Sequence, residues 1–162
     1  MDQTEAIPVP RQDSRRAEFA ELYERELDQQ FRRARLIVGS KAAADDVVHD
    51  AFVEIWRRWD SIRDPGPYLN RAVVNKAMTA QQAGRRRLGI LRRTHVAPST
   101  ESQREILTDV LHKLPVKHRT AIVLRYYAGL SDIEIAAAMD CPTGSVGPWI
   151  HRGLEQLRKA LS

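Results

Sequence analysis

Residues 130–161 read LSDIEIAAAMDCPTGSVGPWIHRGLEQLRKAL, and their spacing predicts a short helix, a tight turn and a second helix. Ser131 and Glu134, three residues apart, form a capping box in which hydroxyl and carboxylate serve orphan amides, so a helix is predicted to begin at Ser131. Ile133, Ile135, Ala136, Ala137 and Met139 give it an apolar side. Asp140-Cys141-Pro142-Thr143-Gly144 then interrupts it, because proline lacks the amide that a continuing helix needs. In the second helix Val146, Ile150, Leu154, Leu157 and Leu161 recur at separations of three and four, an inward stripe, while Trp149, His151, Arg152, Gln156 and Lys159 take the other face. This is the plan of a helix-turn-helix, whose second helix offers its outer face to the major groove. An ordinary helical hairpin uses the same stripe and cap, so the rest of the chain has to decide between them.

The chain has 162 residues, 43% hydrophobic and only 6% aromatic, a balance that suits a soluble all-α protein of one large or two small domains. Its formal net charge of +5 favours a polyanionic partner without proving one. Cys141 is the sole cysteine, which excludes an intramolecular disulfide and a cysteine-rich zinc site. The five histidines are scattered, and neither a metal-ligand cluster nor a glycine-rich phosphate loop is present, so no metal, cofactor or enzymatic activity is expected. No apolar run approaches the length of a membrane span, and residues 1–16 lack the apolar core of a secretory signal. A cytoplasmic location is expected.

Upstream of the helix-turn-helix the pattern is helical throughout. Residues 1–13, with Pro8 and Pro10 and little to bury, read as a disordered tail. A first helix is predicted from Ser14 to Val38, with Gly39 as its C-cap. A second, about Lys41 to Trp59, places Ala44, Val47, Val48, Ala51, Phe52, Ile55, Trp56 and Trp59 on one arc and Asp46, His49, Asp50 and Arg57 opposite. Asp64-Pro65-Gly66-Pro67 is a turn, with Pro67 placed to open a third helix at its first position. That helix turns Leu69, Ala72, Val73 and Ala77 inward, puts Arg71, Asn75, Met78 and Gln82 on another face, and runs out into Gly84-Arg85-Arg86-Arg87. Residues 88–102 show no sustained period and read as a linker. Beyond it come an amphipathic helix ending near Leu114 and another running from Pro115 to Gly129. The division is then a first module over 14–87, a flexible linker over 88–102 and a second module over 103–162.

These two modules, with AADDVVHDAFVEIWRRWDSIRDPGPYLNRAVVNKA in the first and LPVKHRTAIVLRYYAGLSDIEIAAAMDCPTGSVGPWIHRGLEQLRKAL in the second, resemble an extracytoplasmic-function sigma factor of bacterial RNA polymerase, of the sigma-E-like actinobacterial type. The resemblance covers about residues 19–161. It implies sigma region 2 in the first module and sigma region 4 in the second. It also implies that Asp45, Asp46, His49 and Asp50 grip the arginine-rich clamp of the polymerase's largest subunit, a task that suits carboxylates because they pair with guanidinium groups in two-point geometry. His49 departs from the family, which more often has glutamine there.

The third helix is where such factors open the minus-ten promoter element. Arg71, Asn75 and Lys76 are its candidate contacts, asparagine for base edges and the cations for phosphate, with Tyr68 or Trp59 to support an unstacked base. Trp56 is expected in the core and Trp59 as a partly exposed wedge. Arg85, Arg86 and Arg87 are expected on backbone phosphates, though a solvated charge run has the same composition.

Ser131, Thr143, Ser145, Trp149, His151 and Arg152 are the candidates for the minus-thirty-five element. Here the chain departs from its family: Gly147-Pro148-Trp149 stands where a lysine, a serine and an arginine are usual, so two side-chain donors are missing. Pro148 means that the helix either kinks or starts near that residue, and Trp149 fits a buried site as well as a DNA contact. Promoter choice is therefore expected to lean on the minus-ten element. The implied partners are core RNA polymerase, through its clamp and the flap of its second-largest subunit, promoter DNA, and an anti-sigma factor, with no membrane span. A stand-alone helix-turn-helix regulator is the alternative; a nuclease using Asp45, Asp46 and Asp50 as metal ligands lacks a second converging element.

Overall fold

The structure, a computed structural model, describes residues 11–88 and 102–162, with side chains from 11–84 and 105–162. Every regular element among them is helical: α1 (Arg11–Val38), α2 (Lys41–Arg58), a 3-10 turn (Trp59–Ser61), α3 (Pro65–Leu88), α4 (Ser102–His112), α5 (Val116–Ile122), a π-helical turn (Val123–Tyr127), α6 (Asp132–Met139) and α7 (Thr143–Leu161). No described helix is long and apolar enough to cross a membrane.

The first module is a three-helix bundle in which α1, α2 and α3 pack pairwise. The arc expected on α2 is its buried face: Ala44, Val47, Val48, Ala51, Phe52 and Ile55 meet Leu22, Ala34 and Ile37 of α1 and Leu69, Val73 and Ala77 of α3 in one core. Gly39 ends α1 at φ +79°, left-handed geometry that a residue with a Cβ adopts at a cost. Ser40 at once caps α2, its hydroxyl accepting from the amide of Ala43 at 3.2 Å. Helix α3 opens at Pro65 rather than Pro67. Both prolines then lie in the first turn, where amides have no intrahelical acceptor and their loss is free.

Other expectations need correcting. Helix α1 starts at Arg11, inside the stretch read as a tail, and the rest of that tail lies outside the described residues, as do 89–101 of the linker. Trp56 is half-buried rather than in the core, with its ring edge-on to Phe19 (centroids 5.1 Å apart) and Arg15 over its face at 4.4 Å. Ile133, assigned to the apolar side of α6, is 74% exposed, and Leu161 at the end of the α7 stripe is 69% exposed. Both sit at helix extremities, where the stripe continues but no neighbouring element covers it. The stretch read as one helix to Gly129 changes after Ile122 into the π-helical turn, and the amide of Ala128 reaches back to the carbonyl of Val123.

The second module packs α5 against α7 and α6 against α7. At Gly153 of α7 a Cβ would stand 2.5 Å from Cδ1 of Ile122 on α5. The two modules do not stand apart. Helix α6 lies along α3, while α5 and the π-helical turn rest on α1 and α3.

Candidate nucleic-acid interface

Three surfaces carry the candidate residues. The first is the outer face of α2, where Asp45, Asp46, His49 and Asp50 are all exposed because the buried arc holds the opposite side against α1 and α3. None of the four is ion-paired to a described residue. Asp45, Asp46 and His49 border a groove of about 580 Å³ floored by Leu27, Phe31 and Phe52, so acidic side chains rim an apolar bed.

The second surface is the N-terminal half of α3, where Tyr68, Arg71 and Lys76 are already engaged. The Tyr68 hydroxyl donates to Glu54 Oε1 at 2.8 Å, and Lys76 Nζ lies 2.9 Å from Glu54 Oε2. Hydrogen bonds from Lys76 and from Tyr68 hold the Glu54 carboxyl below the usual carboxylate range, outweighing the opposing effect of burial. The bond to Glu54 in turn pushes the Tyr68 phenol up, so it keeps its proton at neutral pH. Arg58 reaches the same hydroxyl at 3.5 Å. Neither Glu54 nor Arg58 was singled out from the sequence, although their i, i+4 spacing on α2 places them side by side. Arg71 is exposed and its Nη2 lies 3.2 Å from Asp140 Oδ1 in the turn between α6 and α7. Asn75 is exposed one turn further on. Asn70 is spoken for: its side-chain oxygen accepts from Gln30 at 2.6 Å and Arg33 at 2.9 Å. Trp59 is half-buried and edge-on to Phe19, with centroids 5.6 Å apart. The side chains of Arg85, Arg86 and Arg87 lie outside the described residues.

The third surface is the helix-turn-helix. The capping box is present in full: the Ser131 hydroxyl accepts from the Glu134 amide at 3.3 Å, and Glu134 Oε2 accepts from the Ser131 amide at 2.8 Å. Asp140 makes the turn in left-handed geometry at φ 53°, and the Cys141 amide closes it on the carbonyl of Ala136 at 3.0 Å. Helix α7 begins at Thr143 and continues through Pro148, which overturns the alternative of a start near Pro148. Its Val146, Ile150 and Gly153 are buried, while Thr143, Gly147, Pro148, His151 and Arg152 are exposed and Ser145 is half-buried. Trp149, which the spacing put on the outer face, is half-buried against the core with Lys117 Nζ 5.5 Å from its ring centroid. Beneath α7, burial lowers the His118 pKa and the charge of Arg152 lowers it further, outweighing the opposing hydrogen bond with Gln156.

Comparison with known proteins follows the same division. The sigma-70 region 2 model matches residues 22–87, and the model of sigma-70 region 4 matches residues 104–157. The RNA polymerase sigma-E factor of Streptomyces avermitilis is 32% identical over 155 residues, an alignment covering 89% of this chain and 85% of that protein. The ECF RNA polymerase sigma factor SigW of Bacillus subtilis is 31% identical, with 88% of each chain covered. Among solved structures, CnrH in complex with the cytosolic domain of CnrY superposes with a TM-score of 0.68 at 26% identity, over 90% of this chain and 88% of that one. The sigma factor RpoE of Bartonella quintana, in complex with the anti-sigma factor NepR, superposes with a TM-score of 0.73 at 19% identity, over 89% of this chain and 96% of that one.

Proposed function

The chain belongs to the sigma-70 family as an alternative sigma factor of the extracytoplasmic-function type that directs promoter-specific transcription initiation, and from that premise we propose how its three surfaces divide the work. The outer face of α2 binds core RNA polymerase: Asp45, Asp46, His49 and Asp50 offer carboxylates and an imidazole, free of ion pairs with described residues, to the guanidinium groups of the clamp. The N-terminal half of α3 handles the opened minus-ten strand. Asn75 hydrogen-bonds a base edge, Arg71 and Lys76 neutralise phosphate, and Tyr68 supports an unstacked base. Arg85, Arg86 and Arg87 extend this basic strip.

Helix α7 addresses the minus-thirty-five element through Thr143, Ser145, His151 and Arg152, and Arg152 is the phosphate contact. Trp149 serves first to seat α7 on α5, since it is already packed against the core beside Lys117. Ser131 acts mainly as a helix cap. As a specificity subunit the chain performs no catalysis of its own and works in the cytoplasm, where the polymerase is. An anti-sigma factor is the expected negative regulator.

The observation that carries this reading is the succession of an acidic helix face with no described ion-pair partner, a helix with exposed polar side chains at Arg71 and Asn75, and a C-terminal helix-turn-helix, in the order of the two matched regions. Run-off transcription with purified core enzyme tests it. Addition of the chain is expected to confer initiation at its promoters, and a chain that binds DNA yet leaves core enzyme silent on every template refutes it.

A further inference from the structure

Between Thr143 and Trp149 helix α7 carries no cation. Gly147 and Pro148 are exposed without a side-chain donor, and no described atom stands within 4 Å of where a Cβ at Gly147 would lie, so this stretch is an open, uncharged strip. A cation reaches its edge from another helix. Gly153 has no Cβ to hold α5 away: one built there would stand 2.5 Å from Cδ1 of Ile122 and 3.3 Å from Cβ of His118. That close approach brings Lys117, the residue before His118, alongside α7. Lys117 is exposed, and its Nζ lies 5.5 Å from the Trp149 ring centroid, inside the roughly 6 Å over which a ring face attracts a cation. Toward the turn, burial pushes the Cys141 thiol up and the charge of Lys117 opposes it, so the ammonium group also borders the start of α7. Lys117 forms no ion pair with a described residue, and Asp140, the carboxylate in that turn, is paired with Arg71. At His118, burial and then the charge of Arg152 lower the pKa, which sets Arg152 along the same seam between α5 and α7.

We infer that Lys117 is a phosphate contact of the minus-thirty-five surface, carried by α5, steadied by the Trp149 ring and standing in for the donors that α7 lacks at Gly147 and Pro148. It rests on the functional reading above. An ammonium group on a flexible stem meets a phosphate as a point charge, and the ring restricts the stem before DNA arrives, so less freedom is lost on binding. Phosphate contacts position a protein without reading sequence. Lys117 therefore adds affinity for the upstream duplex and no base preference.

The test uses holoenzyme assembled from core enzyme and the full chain. One duplex bears a promoter at which the chain confers initiation, and a second is the same duplex truncated just downstream of the minus-thirty-five element. Lys117→Met keeps the stem and removes the charge, whereas Lys117→Arg keeps the charge. On the complete duplex, Lys117→Met should flatten the slope of log affinity against log salt by about 0.9, so that between about 50 and 200 mM salt the parent weakens about 3.5-fold more than the variant. Lys117→Arg should keep the parent's slope. On the truncated duplex the parent and both variants should coincide, with equal affinity for core enzyme and equal helical content throughout. An unchanged slope for Lys117→Met on the complete duplex overturns the contact. So does an equal loss on both duplexes, or a Lys117→Arg slope as flat as that of Lys117→Met. A parent holoenzyme indifferent to truncation overturns it as well, but by removing the minus-thirty-five reading on which it rests, and this tells the two failures apart.

Discussion

The outer face of α2 and the N-terminal half of α3 belong to one three-helix bundle yet are prepared in opposite ways. On α2 the carboxylates of Asp45, Asp46 and Asp50 are exposed and form no ion pair with a described residue. On α3 every charged candidate with a described side chain has a partner in the same chain, Lys76 on Glu54 and Arg71 on Asp140. A partner docking on α2 meets side chains ready to use. One docking on α3 has to exchange existing pairs, so the net gain per contact there is smaller even where the chemistry is as good.

That contrast can be broken most directly on α2. Asp46→Lys with Asp50→Lys should abolish co-purification with core enzyme, since an interface charge pair is worth about 2–5 kcal/mol, while circular dichroism stays unchanged because both residues lie opposite the buried arc. Normal core binding by the double variant would remove α2 from the interface.

On α3, Asn75→Ala should weaken open-complex formation by about 1–3 kcal/mol and leave core binding alone. A premelted template should restore part of the activity, and equal defects on duplex and premelted templates would mean that Asn75 does not act in opening.

A comparable effect is expected in the second module, where the structure refines the choice of variant. Replacing Trp149 strips packing from α7, so Gly147→Lys with Pro148→Ser is the cleaner way to supply the two absent donors. Upstream-element binding should strengthen by about 1–3 kcal/mol with a steeper salt dependence, and a flat salt response would show that this part of α7 does not approach the backbone.

The smallest effect belongs to Glu54. Its folded-state pKa is lowered, so its contribution is complete above the ordinary carboxylate range and is lost as pH falls through the lowered value. With a third of its side chain exposed the pair is screened, and Glu54→Gln should cost under about 1 kcal/mol at neutral pH, with the difference from the parent chain vanishing in acid. A thermal-unfolding series from neutral to acidic pH checks the sign.

The helices and their caps are legible in the amino-acid sequence, because an i, i+3, i+4 stripe, a capping box and a proline in a first turn are set by residues within one or two turns of each other. The same holds for the exposure of Asp45, Asp46, His49 and Asp50, which follows from the apolar arc on their own helix. Periodicity misleads at Ile133, Leu161 and Trp149, since it says which way a side chain points and not whether another element waits there. Ile133 points where nothing covers it, while Trp149 finds α5 and Lys117 beside it. The Glu54 network, the run of α7 through Pro148 and the place of Lys117 over the Trp149 ring are decided only in three dimensions. Each joins groups on different helices, or balances a missing amide against the packing of Val146, Ile150 and Gly153, and such pairings depend on how helices dock rather than on spacing along any one of them.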